Sequence, residues 1–283
     1  MSGPDLTGRT CVVTGASAGI GTETALGLAR MGATVVMVGR NPERAAVAAA
    51  RVREASGRDD VDLHIADFSR LAGVRAVADA ITDTHGAVHV LVNNAGTATR
   101  QRRTTADGLE ETFAVNHAAP FLLTHLLLGT LRAGAPSRVV TVSSLAHRAG
   151  AIDFADLQHE RSWSSFRAYA DSKLANVLFT RELARRVAGS GITAYAVHPG
   201  AVRTGLFQEN RLLGAVYPYV PFFRSPAAGA RTTVWAATDP ALAAESGQYY
   251  ARRRRAPVSG WGADDTLAEL LWEETARLVG VAG

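Results

Sequence analysis

Tyr169 and Lys173 stand four residues apart in "RAYADSKLA" (167–175), a stretch of good helix formers, so both side chains fall on one helical face. A free phenol has a pKa of about 10, poorly matched to proton exchange near neutrality. An ammonium one turn away favours the phenolate and lowers that value, which makes the pair a tuned proton donor or acceptor. Alone, the stretch fits equally a part-buried aromatic beside a solvated charge. Upstream, "RVVTVSS" (138–144) ends in Ser143 and Ser144, and a hydroxyl there could hold a substrate oxygen near the tyrosine. Alternation along the run puts the two serines on opposite faces. Proton exchange at an oxygen is half of carbonyl reduction or alcohol oxidation; the other half is a hydride.

A place for a hydride carrier comes early in the chain. "TGASAGIG" (14–21) joins an apolar β-rich run to a helical pattern. Gly15 permits the sharp turn, Gly19 lets backbone approach a phosphate, and Gly21 allows close helix–strand packing. The helix that follows offers free N–H groups and the positive end of its dipole to a pyrophosphate. A glycine-rich turn is weak by itself, but strand before and helix after supply its context.

The elements that must position these residues alternate along the chain. Residues 10–15, 33–39, 61–66, 88–94, 138–144 and 192–200 read as strands, several apolar on both faces, as in a parallel sheet covered by helices. Residues 19–31, 42–56, 70–84, 108–132 and 169–188 carry Ala, Leu, Arg and Glu at helical spacing. Such alternation predicts a parallel sheet with right-handed crossovers. With 47% hydrophobic residues, no linker and no internal repeat, the 283 residues read as one domain.

Composition excludes several classes. The lone cysteine, Cys11, rules out an internal disulfide framework, reads as a buried hydrophobe in a core strand, and fits a cytoplasmic protein. No secretory signal and no apolar run of ~18 residues is found, so no membrane anchor is expected. The net charge is +4, and the basic cluster "ARRRRAP" (251–257) lacks the aromatic interleaving of a nucleic-acid site. A solvated turn is the reading of Arg252–Arg255, with an acidic substrate contact as the alternative. His147 and His198 lie near strand ends without a partner in ligand spacing, so no catalytic metal is expected.

The spacing TGxxxGxG, "NNAG" (93–96), Asn116 in "FAVNHAAPF", Ser144, the YxxxK pair Tyr169 and Lys173, and "HPGAVRT" (198–204) occur in one order along nearly the whole chain. In this the sequence resembles the short-chain dehydrogenase/reductase family. The resemblance implies a single-domain Rossmann fold over 1–283, a doubly wound parallel β-sheet flanked by helices on both faces. It implies Asn116, Ser144, Tyr169 and Lys173 as the catalytic set and favours Ser144 over Ser143. Lys173 would also bond the nicotinamide ribose, and Asn116 would hold a water that links Lys173 to solvent. Cofactor contacts are implied at Gly15, Ser17, Ala18, Gly19, Ile20, Gly21, Arg40, Asn41, Asp67, Phe68, Asn94, Ala95, Gly96, Tyr169, Lys173, Pro199, Gly200, Val202 and Thr204. Family members often pair through the helix carrying YxxxK, so a homodimer is admitted without being fixed.

The choice of nicotinamide is made at the end of the second strand, where an acid binds a ribose 2′-OH and an Arg accommodates a 2′-phosphate. Here Gly39 takes the acid's place, Arg40 follows, and Arg44 lies one turn on. A guanidinium fork suits phosphate, so NADP(H) is favoured over NAD(H). Asp67 resembles the family's acidic residue near the adenine and equally fits a cap for the next helix.

Twenty-five residues separate Ser144 from Tyr169, a long interval for the family, and with "YADSKLANVLFTRELARR" and "LLWEETARLVG" it resembles the retinol-dehydrogenase-like branch. The extension reads as an enlarged rim of the active site. The segment at about 205–229, rich in apolar and aromatic residues with Gly and Pro breaks, reads either as a mobile substrate lid or as a segment packed on the core or a subunit interface. Trp163, Phe166, Phe207, Tyr217, Phe222 and Phe223 are pocket candidates. The expected substrate is a small-molecule ketone or aldehyde on a bulky apolar or aromatic scaffold; high Ala and Arg content suggests bacterial secondary metabolism. An oxidative retinol-dehydrogenase-type activity and a non-catalytic dinucleotide sensor are the competing readings.

Overall fold

The computed structural model describes residues 4–200 and 225–282. Eight strands form one sheet in the order β3-β2-β1-β4-β5-β6-β7-β8: Thr10–Thr14 (β1), Thr34–Gly39 (β2), Val61–Ile65 (β3), Val90–Asn93 (β4), Ser137–Val142 (β5), Ile192–His198 (β6), Gln248–Ala251 (β7) and Arg254–Arg255 (β8). Strands β1 to β7 are parallel, and β8 turns back antiparallel on β7. The arginine cluster is thus the tip of a hairpin, with Arg252 and Arg253 at positive φ of 53° and 58° and Arg254 and Arg255 exposed.

Pleating divides the apolar residues between two cores. Val12, Val36, Leu91 and Val139 face one side, against helices Leu71–Thr84 (α3), Ala119–Leu126 (α5), Ser165–Arg186 (α7) and the C-terminal helix Asp265–Val279. Cys11, Val35, Met37, Val90 and Val140 face the other, against Gly19–Ala29 (α1), Pro42–Ser56 (α2) and the helix Pro226–Thr238. Cys11 is fully buried and its thiol is pushed up to about 12 by burial, which leaves it a packing residue. Strand order reverses between β1 and β4, which opens a crevice at their carboxyl ends.

One expected helix is broken. In place of a single element over 108–132 there is a turn, Glu111–Phe113 (α4), a π-helical segment, Ala114–Ala118, then α5 and Leu128–Ala133 (α6). Pro120 has no N–H and cannot close an α-helical bond to the carbonyl of Asn116, so the chain widens there. Helix α7 begins at Ser165, four residues earlier than expected, because Ser164 caps it by accepting from Arg167 N at 3.2 Å. Residues 226–229 of the expected lid belong to the helix Pro226–Thr238, capped by Ser225; residues 205–224, with Phe207, Tyr217, Phe222 and Phe223, lie outside the described residues.

Candidate active site

The crevice is floored by two loops that hold each other. Asn94 Nδ2 donates to the carbonyls of Thr14 (2.8 Å) and Gly15 (3.2 Å), and the backbone N–H groups of Asn94 and Ala95 both donate to Thr14 Oγ1 at 3.0 Å. A side chain at Gly15, whose φ is +63°, would lie 2.7 Å from Ala95 Cα, and one at Gly21 would overlap the Gly15 carbonyl oxygen. Asn93 braces the same strand end, its Nδ2 donating to Thr124 Oγ1 at 3.0 Å. The N-cap of α1, Ala18, offers no side-chain acceptor, and the first turn holds no acid. Those N–H groups and the dipole are therefore kept for an external anion, and the cradle fits a pyrophosphate. Of the loop residues named from sequence, Ile20 is buried against Ala230, Ser17 is half-buried beside Gly39, and Ala18 is exposed.

At the end of β2, a side chain at Gly39 would lie 2.9 Å from Ala45 Cβ and 3.2 Å from Ser17 Cβ, so the space an acid would need is filled. Arg40 follows, exposed. Asn41 is spent as the N-cap of α2, accepting from Arg44 N at 2.8 Å. The Asp67 carboxylate accepts from Ser69 N (3.0 Å) and Ser69 Oγ (2.8 Å), so it braces the turn before α3, and the Phe68 ring points into the core. Pro199 and Gly200 follow β6 at the crevice edge; Val202 and Thr204 lie outside the described residues.

Helix α7 brings Tyr169 and Lys173 to the carboxyl end of β5. Lys173 is 3% exposed, and its Nζ donates to the carbonyl of Val142 at 3.1 Å and lies 5.5 Å from the centre of the Tyr169 ring. Burial lowers its pKa from the ordinary lysine value to about 8. It is the chain's only lysine; the other 29 of the 30 basic residues are arginines. An arginine cannot be deprotonated in a protein, so this is the one side-chain ammonium in the sequence.

The serines divide their roles. Ser143 is buried and its Oγ donates to the Lys173 carbonyl at 2.7 Å, tying β5 to α7. Ser144 is part-exposed at the rim, its Oγ accepting from Ala146 N at 3.2 Å and its O–H proton left for a further acceptor. His147 Nδ1 donates to the Ser144 carbonyl at 2.7 Å, and His198 Nδ1 accepts from Leu145 N at 3.3 Å, so both histidines shape the serine's turn. Among the described residues no group of three or more His, Cys, Asp or Glu side chains could hold a metal ion.

Asn116 is held by its side-chain amide. Its Nδ2 donates to the Thr97 carbonyl (3.0 Å) and Ser172 Oγ (2.9 Å), and its Oδ1 accepts from Thr97 N (2.7 Å). The side chain thus fixes the loop after "NNAG" to the catalytic helix, with Gly96 held beside Lys173 Nζ. Sequence reasoning also missed Thr14 and Asn176, whose Nδ2 donates to Val142 O at 3.2 Å; only the fold brings them to these partners. Trp163, a pocket candidate, instead donates from its indole N–H to Glu110 Oε1 at 3.2 Å, whereas Phe166 is 64% exposed.

Comparison with known proteins agrees with this geometry. The family model for short chain dehydrogenases matches residues 9–212. Dehydrogenase/reductase SDR family member 13 of Bos taurus is 44% identical over 98% of this chain and 74% of its own length. Retinol dehydrogenase 12 of Homo sapiens is 42% identical over 98% of this chain and 88% of its own. A crystal structure of an uncharacterized protein from Mycobacterium Paratuberculosis superposes with a TM-score of 0.81 at 36% identity, covering 99% of this chain and 96% of that one. The Pseudomonas aeruginosa RhlG/NADP active-site complex superposes with a TM-score of 0.70 at 28% identity, covering 91% and 98%.

Proposed function

The chain belongs to the short chain dehydrogenase family, and on that premise we propose that it is an NADP(H)-dependent reductase of ketones or aldehydes carried on a bulky apolar or aromatic scaffold. The observation that carries the reading is Lys173, the only lysine, buried beside Tyr169 with its pKa brought to about 8. A binder that only senses a dinucleotide needs no such group.

When bound, the nicotinamide supplies the hydride. Tyr169 then gives its phenolic proton to the oxygen that becomes negative, and Ser144 Oγ donates a hydrogen bond that holds this oxygen in place. Lys173, charged while its amine is protonated, favours the phenolate that Tyr169 leaves behind. Arg40, in place of an acid at the end of β2, suits the 2′-phosphate, and the RhlG/NADP complex supports the same cofactor.

The retinol dehydrogenase relatives support a lipophilic substrate, and the second reading is the same chemistry run oxidatively on a lipophilic alcohol. Exposed Leu145, next to Ser144, and Phe166, three residues before Tyr169, suit an apolar substrate. Among the described residues no helix is long and apolar enough to cross a membrane. A cytoplasmic location is part of the proposal, since the lone thiol is sealed in the core.

The test is NADPH consumption by the purified protein against a panel of retinaldehyde, quinones and polycyclic ketones. Turnover that Tyr169→Phe abolishes, with NADPH affinity kept, supports the proposal. NADPH binding with no carbonyl turned over replaces it with the sensor reading.

A further inference from the structure

Two consecutive residues of the π-helical segment meet consecutive turns of α7. Asn116 donates to Ser172 Oγ at 2.9 Å, and the His117 ring lies beside the Asn176 amide. His117 is 1% exposed and walled by aromatic rings, with the centres of Phe113 and Phe179 at 5.1 and 6.3 Å. Burial brings its pKa to about 4, so the imidazole is neutral and carries one ring proton. The chemistry assigned to Tyr169, Lys173 and Ser144 makes no use of it.

The surrounding donors and acceptors decide where that proton sits. Asn176 Nδ2 donates to the Val142 carbonyl at 3.2 Å, the same oxygen that Lys173 Nζ holds at 3.1 Å. Turning the amide over would set Oδ1 against that carbonyl, acceptor to acceptor, so its orientation is fixed. Asn176 Oδ1 and His117 Nδ1 are both buried, and neither has a hydrogen-bond partner elsewhere. A buried amide oxygen needs a donor. The ring can supply one only from Nδ1, because Nε2 lies 3.0 Å from Thr275 Oγ1. Thr275, fully buried on the C-terminal helix, carries the O–H that Nε2 then accepts.

We propose that His117 is a positioning residue for Lys173. It holds its proton on Nδ1, donates to Asn176 Oδ1 and accepts from Thr275 Oγ1. Directed hydrogen bonds then run from the C-terminal helix through Asn176 to the Val142 carbonyl. That oxygen has two lone pairs, one for Asn176 and one for the ammonium, so it cannot shift without breaking both bonds. The place of the ammonium beside Tyr169 is thereby set by a helix at the far end of the sequence. This role rests on the reading of Lys173 as the amine that serves Tyr169.

Nuclear magnetic resonance on the full chain tests the link without turnover. Imidazole nitrogen shifts show which nitrogen carries the proton, and ε-carbon labelling of lysine gives one signal, that of Lys173. His117 should show Nδ1–H in the wild type and change to Nε2–H in Asn176→Leu. The amide nitrogen of Asn stands where histidine has Nδ1, and that of Gln where it has Nε2. His117→Asn should therefore keep the wild-type Lys173 signal and kcat. His117→Gln and His117→Phe should move that signal and lower kcat about tenfold. His117→Phe fills the same aromatic cage, so an unchanged melting temperature separates lost position from lost fold, and His117→Gln serves if the Phe variant does not fold. Two results overturn the proposal: Nε2–H in the wild type, or Gln and Phe variants whose Lys173 signal or kcat equals the wild type's. A moved Lys173 signal in a protein that turns over no carbonyl sinks the proposed function and leaves the positioning of Lys173 standing.

Discussion

Lys173 and Asn176, one turn apart on α7, donate to the same acceptor, the carbonyl oxygen of Val142, at 3.1 and 3.2 Å. The last carbonyl of β5 thus fixes the ammonium beside the Tyr169 ring, and Ser143 next to it binds the Lys173 carbonyl in return. Strand and helix are locked at the residues proposed to carry the chemistry.

The buried amine has a consequence for stability in the cofactor-free protein. Its folded pKa of about 8 lies below the ordinary 10.5, so between these values the unfolded chain holds a proton that the folded chain has lost. Stability then rises with pH through that window. Relative to Lys173→Met, the wild type should gain about 2 kcal/mol between pH 8 and 9.5. Denaturant unfolding of both proteins at the two pH values checks this.

Ser143 and Ser144 should separate into structure and chemistry. Ser144→Ala is expected to lower kcat about 10²-fold or more with the melting temperature kept. Ser143→Ala loses a buried hydrogen bond and should cost about 1–2 kcal/mol of stability. Steady-state kinetics beside thermal unfolding distinguishes them.

Cofactor choice should follow Arg40. Replacement by Ala is expected to weaken NADPH about tenfold or more, the scale of a lost charge-assisted hydrogen bond, and to leave NADH nearly unchanged. Titration of both nucleotides by fluorescence checks this; equal weakening would move the 2′-phosphate elsewhere.

Gly21→Ala should damage fold and cofactor site together, since the new methyl overlaps the Gly15 carbonyl oxygen and crowds Asn94. Overpacking of this kind costs about 1–3 kcal/mol. A lower melting temperature with lost NADPH binding is the expected pair of results.

Much of the fold was legible because its signals are local. Strands β1 to β6, the glycine loop and the YxxxK spacing each rest on a period or turn a few residues long. The break at Asn116 had a visible sign in Pro120, four residues on, but helical spacing on both sides concealed it. Asn116 was singled out from its motif, but its side-chain partners Thr97 and Ser172 lie 19 and 56 residues away, beyond the reach of any local pattern.

The sequence alone pointed to the groups, a phenol beside an ammonium, a hydroxyl and a glycine-rich cradle, and to the parallel sheet that carries them. Only the tertiary structure decided the order of the strands, that Ser143 is tied to the Lys173 carbonyl, that Asn94 and Asn116 act as braces, and that the long interval before Tyr169 lies along α7. Residue types and short spacings dictate what groups can do. Burial and direction come from contacts between distant segments, such as Asp171 with Ala151 and His159, whose energies no local pattern encodes.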